Sequence, residues 1–225
     1  MNAPLVAAPA IDESGYNSYL KALLAGDRHH CADIVQEQLR RGVSVKTLYL
    51  DLMQRAMYEV GTLWERNLVS VATEHLASAT TEMLLTRIYP MFFSEHHLDR
   101  RAIITCVPHE YHQIGQRMVA DFFELHGWHG FTLGANTPTD GLLRMIGERD
   151  PDVVGFSMSM AFNSPQLEQM VAAVAQQYPK LELIVGGRAF QSPAGQAALA
   201  QMRLNTRQIN YIDSLHSLES YLTRG

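Results

Sequence analysis

From residue 101 onward the sequence alternates short apolar runs with helical patterns, and this alternation limits the folds open to the chain. The runs at 101–107, 130–134, 153–157 and 181–185 read as strands, and 209–212 as a fifth. Between them, 115–126, 139–149, 164–178 and 194–202 have helical spacing, with a last helix through Leu218 and Leu222. Thr139 is placed to cap its helix, and Pro165 stands at the start of another. Strands that are apolar throughout, each followed by a helix, are the pattern of parallel βαβ units covered on both faces.

Five strands in this length fit a flavodoxin-like or Rossmann-like parallel sheet. The G-x-G-x-x-G fingerprint is absent after the first strand, so dinucleotide binding lacks its best warrant.

The first part of the chain has a different periodicity. An Ala/Pro-rich opening gives way to helical spacing at Tyr19, Leu20, Leu23 and Leu24, and a second helix spans 29–41 with Ile34, Val35 and Leu39 inward. A third is capped by Ser44 and runs through Leu48, Leu52, Met57 and Val60. A fourth carries Val71, Leu76, Met83, Leu84 and Ile88 and stops at Pro90. Four helices with short connections predict a small bundle. The expected division is a helical cap bundle at 15–92, a linker at 93–99 and an α/β domain at 100–225.

Composition excludes several classes. With 18 basic against 23 acidic residues the net charge is −5, which gives no reason to expect direct nucleic-acid binding. The two cysteines, Cys31 and Cys106, have neither paired metal spacing nor a disulfide pattern, and this suits a reducing compartment. No secretory leader is evident, and no apolar run approaches the ~20 residues that span a bilayer. A cytoplasmic location is expected. Glu95, His96 and His97 lack a third ligand at metal-site spacing, so no metal is assigned there.

The chemistry-bearing residues fall at strand ends. Glu110, His112 and Gly115 form E-x-H-x-x-G after the first strand. Ser157 and Ser159 follow the third, and Gly186 and Gly187 the fourth. In a parallel sheet these ends share one edge, where ligands normally bind. Glu110 can orient the His112 imidazole through one ring nitrogen, leaving the other as a Lewis base. Paired glycines let a ligand approach the backbone. Taken alone, His112 reads as a loop or cap histidine; together, these residues read as a ligand site. No Cys/His pair or G-x-S-x-G elbow supports a nucleophilic hydrolase, although His112 with Glu110 also has the makings of a base. In the helical part, Trp64 is followed after nine residues by Glu74 and His75. This is either a core aromatic with two solvated helix residues or the lid of a pocket for a bulky ligand.

Glu110-x-His112-x-x-Gly115, with the serine-bearing third strand end and the double glycine, resembles the D-x-H-x-x-G pattern of cobalamin (vitamin B12)-binding proteins, in which a four-helix cap precedes a Rossmann-like domain. The resemblance covers residues 16–222. It implies that His112 is the lower cobalt ligand, with Glu110 supporting it, and that the cofactor's nucleotide tail lies beside Ser157, Ser159, Gly186 and Gly187. Trp64-x9-Glu74-His75 is similar to the cap signature of adenosylcobalamin-dependent photoreceptor regulators, which implies that Trp64 covers the upper adenosyl group, flanked by Glu74 and His75.

The pattern also departs from the family's. Glu65 stands where those photoreceptors carry a histidine directly after the tryptophan, and His75 is the remaining candidate for an upper histidine. The family's common glycine-alanine-aspartate turn is absent from 205–214. Only a short tail precedes the first helix, so regulation of transcription is expected to run through another protein or chain.

The resemblance therefore implies a non-enzymatic light sensor or signalling regulator with adenosylcobalamin as chromophore, acting through a protein partner such as a transcription regulator, with a homodimer as one arrangement. The alternatives are a corrinoid methyl carrier of a methyltransferase system, or a haem or biliverdin sensor, another tetrapyrrole on the same scaffold.

Overall fold

The structure is a computed structural model that describes residues 9–92, 97–206 and 209–223. The chain divides into two compact units, Met1–Met91 and Phe92–Gly225. Glu95 and His96 lie outside the described residues.

The first unit is helical. Helix α1 (Glu13–Leu24) starts at Asp12, whose carboxylate accepts the Gly15 N–H at 2.7 Å, and α2 (Arg28–Arg40) starts at Asp27, which accepts from His30 N–H at 3.0 Å. Such caps satisfy N–H groups that a helix start leaves open. Ser44 caps the third helical segment through Thr47 N–H at 3.0 Å. That segment is not one regular α-helix. A single turn, α3 (Val45–Thr47), leads into a π-helical stretch, Leu48–Gln54, and then into α4 (Arg55–Glu65). Leu48, Tyr49, Leu52 and Met53 of this stretch all lie in the core, a set that a regular helix would also gather on one face, so the π turn leaves no mark in the apolar spacing. Arg55 ties α4 to α1 by a two-bond contact with Glu13, at 2.8 and 2.9 Å.

Helix α5 (Val71–Ile88) corrects one expectation. Val71 and Leu76 are exposed, and the buried face is Ala77, Thr80, Thr81, Leu84, Leu85 and Ile88. Small residues on that face let the neighbouring helices approach closely, so the packing follows size as well as hydrophobicity. At Pro90 the chain continues as a short 3-10 turn, Tyr89–Phe92.

The second unit contains β1 (Arg101–Cys106), β2 (His129–Thr132), β3 (Val153–Ser157), β4 (Glu182–Gly186) and β5 (Ile209–Ile212), all parallel, in the order β2-β1-β3-β4-β5. This is the flavodoxin-like order, whose switch point lies between β1 and β3. Helices α6 (Ile114–Leu125) and α10 (Leu215–Leu222) pack together, with α6 on β1 and β2; α7 (Thr139–Arg149), α8 (Ser164–Gln177) and α9 (Pro193–Asn205) form a second connected set. Ile103, Val154, Phe156, Leu183 and Val185 pack with Leu142, Leu167, Met170 and Leu199 in one apolar core. Thr139 is the first residue of α7 and makes no side-chain cap; Pro138 precedes it. Strand β4 extends one residue further than the apolar run predicts, so Gly186 is a paired strand residue and Gly187 alone makes the turn.

Candidate functional site

The loop between β1 and α6 carries the most heavily bonded carboxylate described. Glu110 is fully buried. Its Oε1 accepts from the backbone N–H of His112 at 3.1 Å and faces the His112 Nδ1 at 2.5 Å. Its Oε2 accepts from Ser159 N–H at 2.9 Å, Met160 N–H at 3.0 Å and the Asn163 side-chain amide at 3.2 Å. Burial by itself pushes the Glu110 carboxyl up. The bonds from His112 and Met160, and the nearby imidazole charge, outweigh it and hold the group at about 2, because each favours the ionised form. Below this loop, the Cys106 thiol lies 3.6 Å from the His112 carbonyl. Burial, with the Glu110 charge second, pushes this thiol up to about 12, so it remains a donor and is unsuited to nucleophilic work.

His112 is partly exposed, with side-chain accessibility of 39% against 0% for Glu110. A histidine whose Nδ1 is held by a buried carboxylate has its ring orientation fixed and presents Nε2 as the donor for a metal. The residues present therefore fit a metal-containing cofactor that would take one imidazole from the protein. Gly115 lies in the first turn of α6, beside Ser157 of β3. A Cβ at Gly115 would sit 3.6 Å from the Ser157 hydroxyl oxygen, so the glycine keeps side-chain bulk away from it.

The structure brings Glu110, His112, Gly115, Ser157 and Ser159 together at the β1–β3 switch point. Ser159 contributes its backbone N–H to Glu110. The glycine pair has a further explanation in the fold. A Cβ on Gly186 would meet the Ile212 carbonyl at 2.7 Å, and one on Gly187 would meet the Met158 carbonyl at 2.3 Å, with Gly187 at φ +112°. Both positions are closed to larger residues by the protein's own backbone.

Sequence reading did not single out Met160, Asn163 or Asn136, all of which bond the Glu110 segment. For the two asparagines, turn chemistry was the available signal: Asn163 precedes Ser164-Pro165, and Asn136 lies in Gly134-Ala135-Asn136-Thr137-Pro138.

Trp64, Glu74 and His75 belong to the helical unit. Trp64 is half-buried near the end of α4. Asn67, left-handed at φ 57°, closes that helix: its N–H donates to the Trp64 carbonyl at 2.9 Å and the Leu68 N–H to the Leu63 carbonyl at 2.9 Å. Ser70 then caps α5 through Thr73 N–H at 3.1 Å. This short hairpin places Trp64 just before the connection, with Glu74 and His75 in the first turns after it. Glu74 is largely buried and accepts from the Ser78 hydroxyl at 2.7 Å, whereas His75 is exposed, 3.7 Å from the Glu74 carboxylate.

Two family models match the chain. A B12 binding domain model covers residues 100–201, and a second B12 binding domain model covers residues 16–89. The chain belongs to the B12-binding domain family. The chain is also similar to two transcriptional repressors of Myxococcus xanthus. It is 27% identical over 182 residues to the HTH-type transcriptional repressor CarH, covering 80% of this chain and 60% of the repressor. It is 28% identical over 119 residues to the HTH-type transcriptional repressor CarA, covering 53% of this chain and 41% of that protein. The chain thus spans about half the length of the curated relatives it matches. The fold of this B12-binding chain is like that of the Methanosarcina barkeri monomethylamine corrinoid protein, with a TM-score of 0.71 at 13% identity, covering 86% of this chain and all of that one. Among the described residues, no group of three or more His, Cys, Asp or Glu could hold a metal ion. No helix among them is long and apolar enough to cross a membrane.

Proposed function

We propose that this B12-binding chain is a light-responsive signalling regulator that binds adenosylcobalamin and acts through a protein partner such as a transcription regulator. The observation that carries the reading is the His112–Glu110 pair, a metal-suited imidazole oriented by a buried carboxylate, in a chain that matches B12 binding domain models and is similar to two HTH-type transcriptional repressors. His112 is assigned as the lower ligand through Nε2, and Glu110 keeps its ring from turning. Ser157, Ser159, Gly115, Gly186 and Gly187 are assigned to the cofactor's tail side. Trp64, Glu74 and His75 are assigned to recognition of the upper group. Cobalamin, when bound, supplies a cobalt–carbon bond that light can break. The protein's own part would be to hold the metal through His112 and to respond to loss of the light-labile group. Loss of contact with a bulky apolar group amounts to a few kcal/mol, about the size of a switch between two arrangements.

Methyl carriage for a methyltransferase is the second reading, favoured by the fold shared with a corrinoid protein. The test is to load the purified chain in darkness with adenosylcobalamin, then record absorption and hydrodynamic size before and after green light. Bands that change on illumination, together with a change in size or partner binding, are the expected outcome. A light-insensitive complex that accepts and passes on a methyl group supports the carrier instead. Retention of haem or biliverdin with no affinity for cobalamin overturns both.

A further inference from the structure

The bend that separates Glu110 from its neighbours is made at His109. His109 has φ +65° and is exposed, whereas the next residue is fully buried. A left-handed residue other than glycine costs free energy and persists only where its surroundings hold it. Here two asparagine side chains from neighbouring loops hold the His109 main chain at both ends. Its N–H donates to Asn136 Oδ1 at 2.8 Å, and its carbonyl accepts from Asn163 Nδ2 at 3.3 Å. Asn136 is itself left-handed, at φ 49°, and its own N–H donates to the Glu110 carbonyl at 2.8 Å. The β2–α7 loop thus grips the His112 loop by a two-bond clasp through one residue, Asn136.

We propose that Asn136 is a positioning residue for His112: its clasp fixes the left-handed bend at His109 that turns Glu110 inward to meet the imidazole. The inference rests on the proposed cofactor role only for the purpose of the loop, not for its geometry. The competing account is that Asn136 occupies its position because asparagine tolerates a left-handed turn. Asn136→Gly separates the two. Glycine keeps the left-handed backbone and the N–H but deletes the side-chain acceptor; Asn136→Asp restores an acceptor.

The experiment uses the full chain without cofactor, its histidines labelled with ¹⁵N, and assigns the His112 ring signals by their absence in His112→Gln. Asn136→Gly is expected to move the His112 Nδ1 signal and Asn136→Asp to return it. Binding of cobalamin itself is expected to weaken about fivefold in Asn136→Gly, the effect of one lost hydrogen bond, and to recover in Asn136→Asp. An Asn136→Gly protein whose His112 signal stays in place overturns the proposal, even if its melting temperature falls, because the residue is then a turn former only. If Asn136→Gly does not fold, Asn136→Ala, which also deletes the side-chain acceptor, reads the same signal by the same criterion. A signal that moves in a chain with no affinity for cobalamin upholds the positioning role and defeats the proposed function instead.

Discussion

Glu110 has no exposed surface, and the N–H groups of His112, Ser159 and Met160 with the Asn163 amide all point at its carboxylate. A neutral amide at this position cannot accept from all of them, so some donors lose their partner in a buried setting. Glu110→Gln is therefore expected to cost about 1–3 kcal/mol in denaturant unfolding at neutral pH. The pH dependence follows from the lowered carboxyl, which moves from the ordinary 4.5 to about 2 in the folded chain. Its contribution is fully present above about 4.5 and is lost as pH falls towards 2. Unfolding curves of the wild type and Glu110→Gln should accordingly converge across that acid range. A constant gap between them would mean that the carboxylate is not what holds the loop.

Among the elements, the turn after β4 is held both by its backbone conformation and by close contact. Gly187 has φ +112°, and a Cβ there would lie 2.3 Å from the Met158 carbonyl, in a backbone region that is essentially glycine's. Gly187→Ala should destabilise the α/β unit by about 3 kcal/mol or more, read by urea unfolding. A near-neutral result would show that the β3 and β4 ends move apart easily. The sequence made the central strands legible because β1, β3 and β4 are apolar and buried, whereas the edge strands β2 and β5 are largely unburied and were legible by their place between helical patterns. It could not show the π-helical stretch at Leu48–Gln54, since hydrophobic spacing does not distinguish a wide turn from a regular one over seven residues. Nor could it show that Val71 and Leu76 face outward, because that choice depends on which neighbouring helix surface offers a close fit.

At the scale of the whole molecule, the predicted roles fall on separate units, with His112 in one and Trp64 in the other. This makes them separable by mutation. Trp64→Ala in the full chain should speed loss of the cofactor's upper group by about tenfold, as expected for removal of a large apolar contact, while histidine-bound absorption features persist. His112→Ala should abolish those features. Equal loss of both signals in Trp64→Ala would remove the case for separate roles.

The amino-acid order by itself determined the strand and helix succession, the helical first unit and the short-range pairing of Glu110 with His112, because these depend on periodicity and on residues two apart in the chain. Only the tertiary structure decided the rest of the Glu110 shell. Ser159, Met160, Asn163 and Asn136 lie 26 to 53 positions away, and parallel pairing of β1 with β2 and β3 carries their loops to one sheet edge. Hydrogen bonds over such separations leave no local pattern in a sequence, since only the crossover topology makes the partners neighbours.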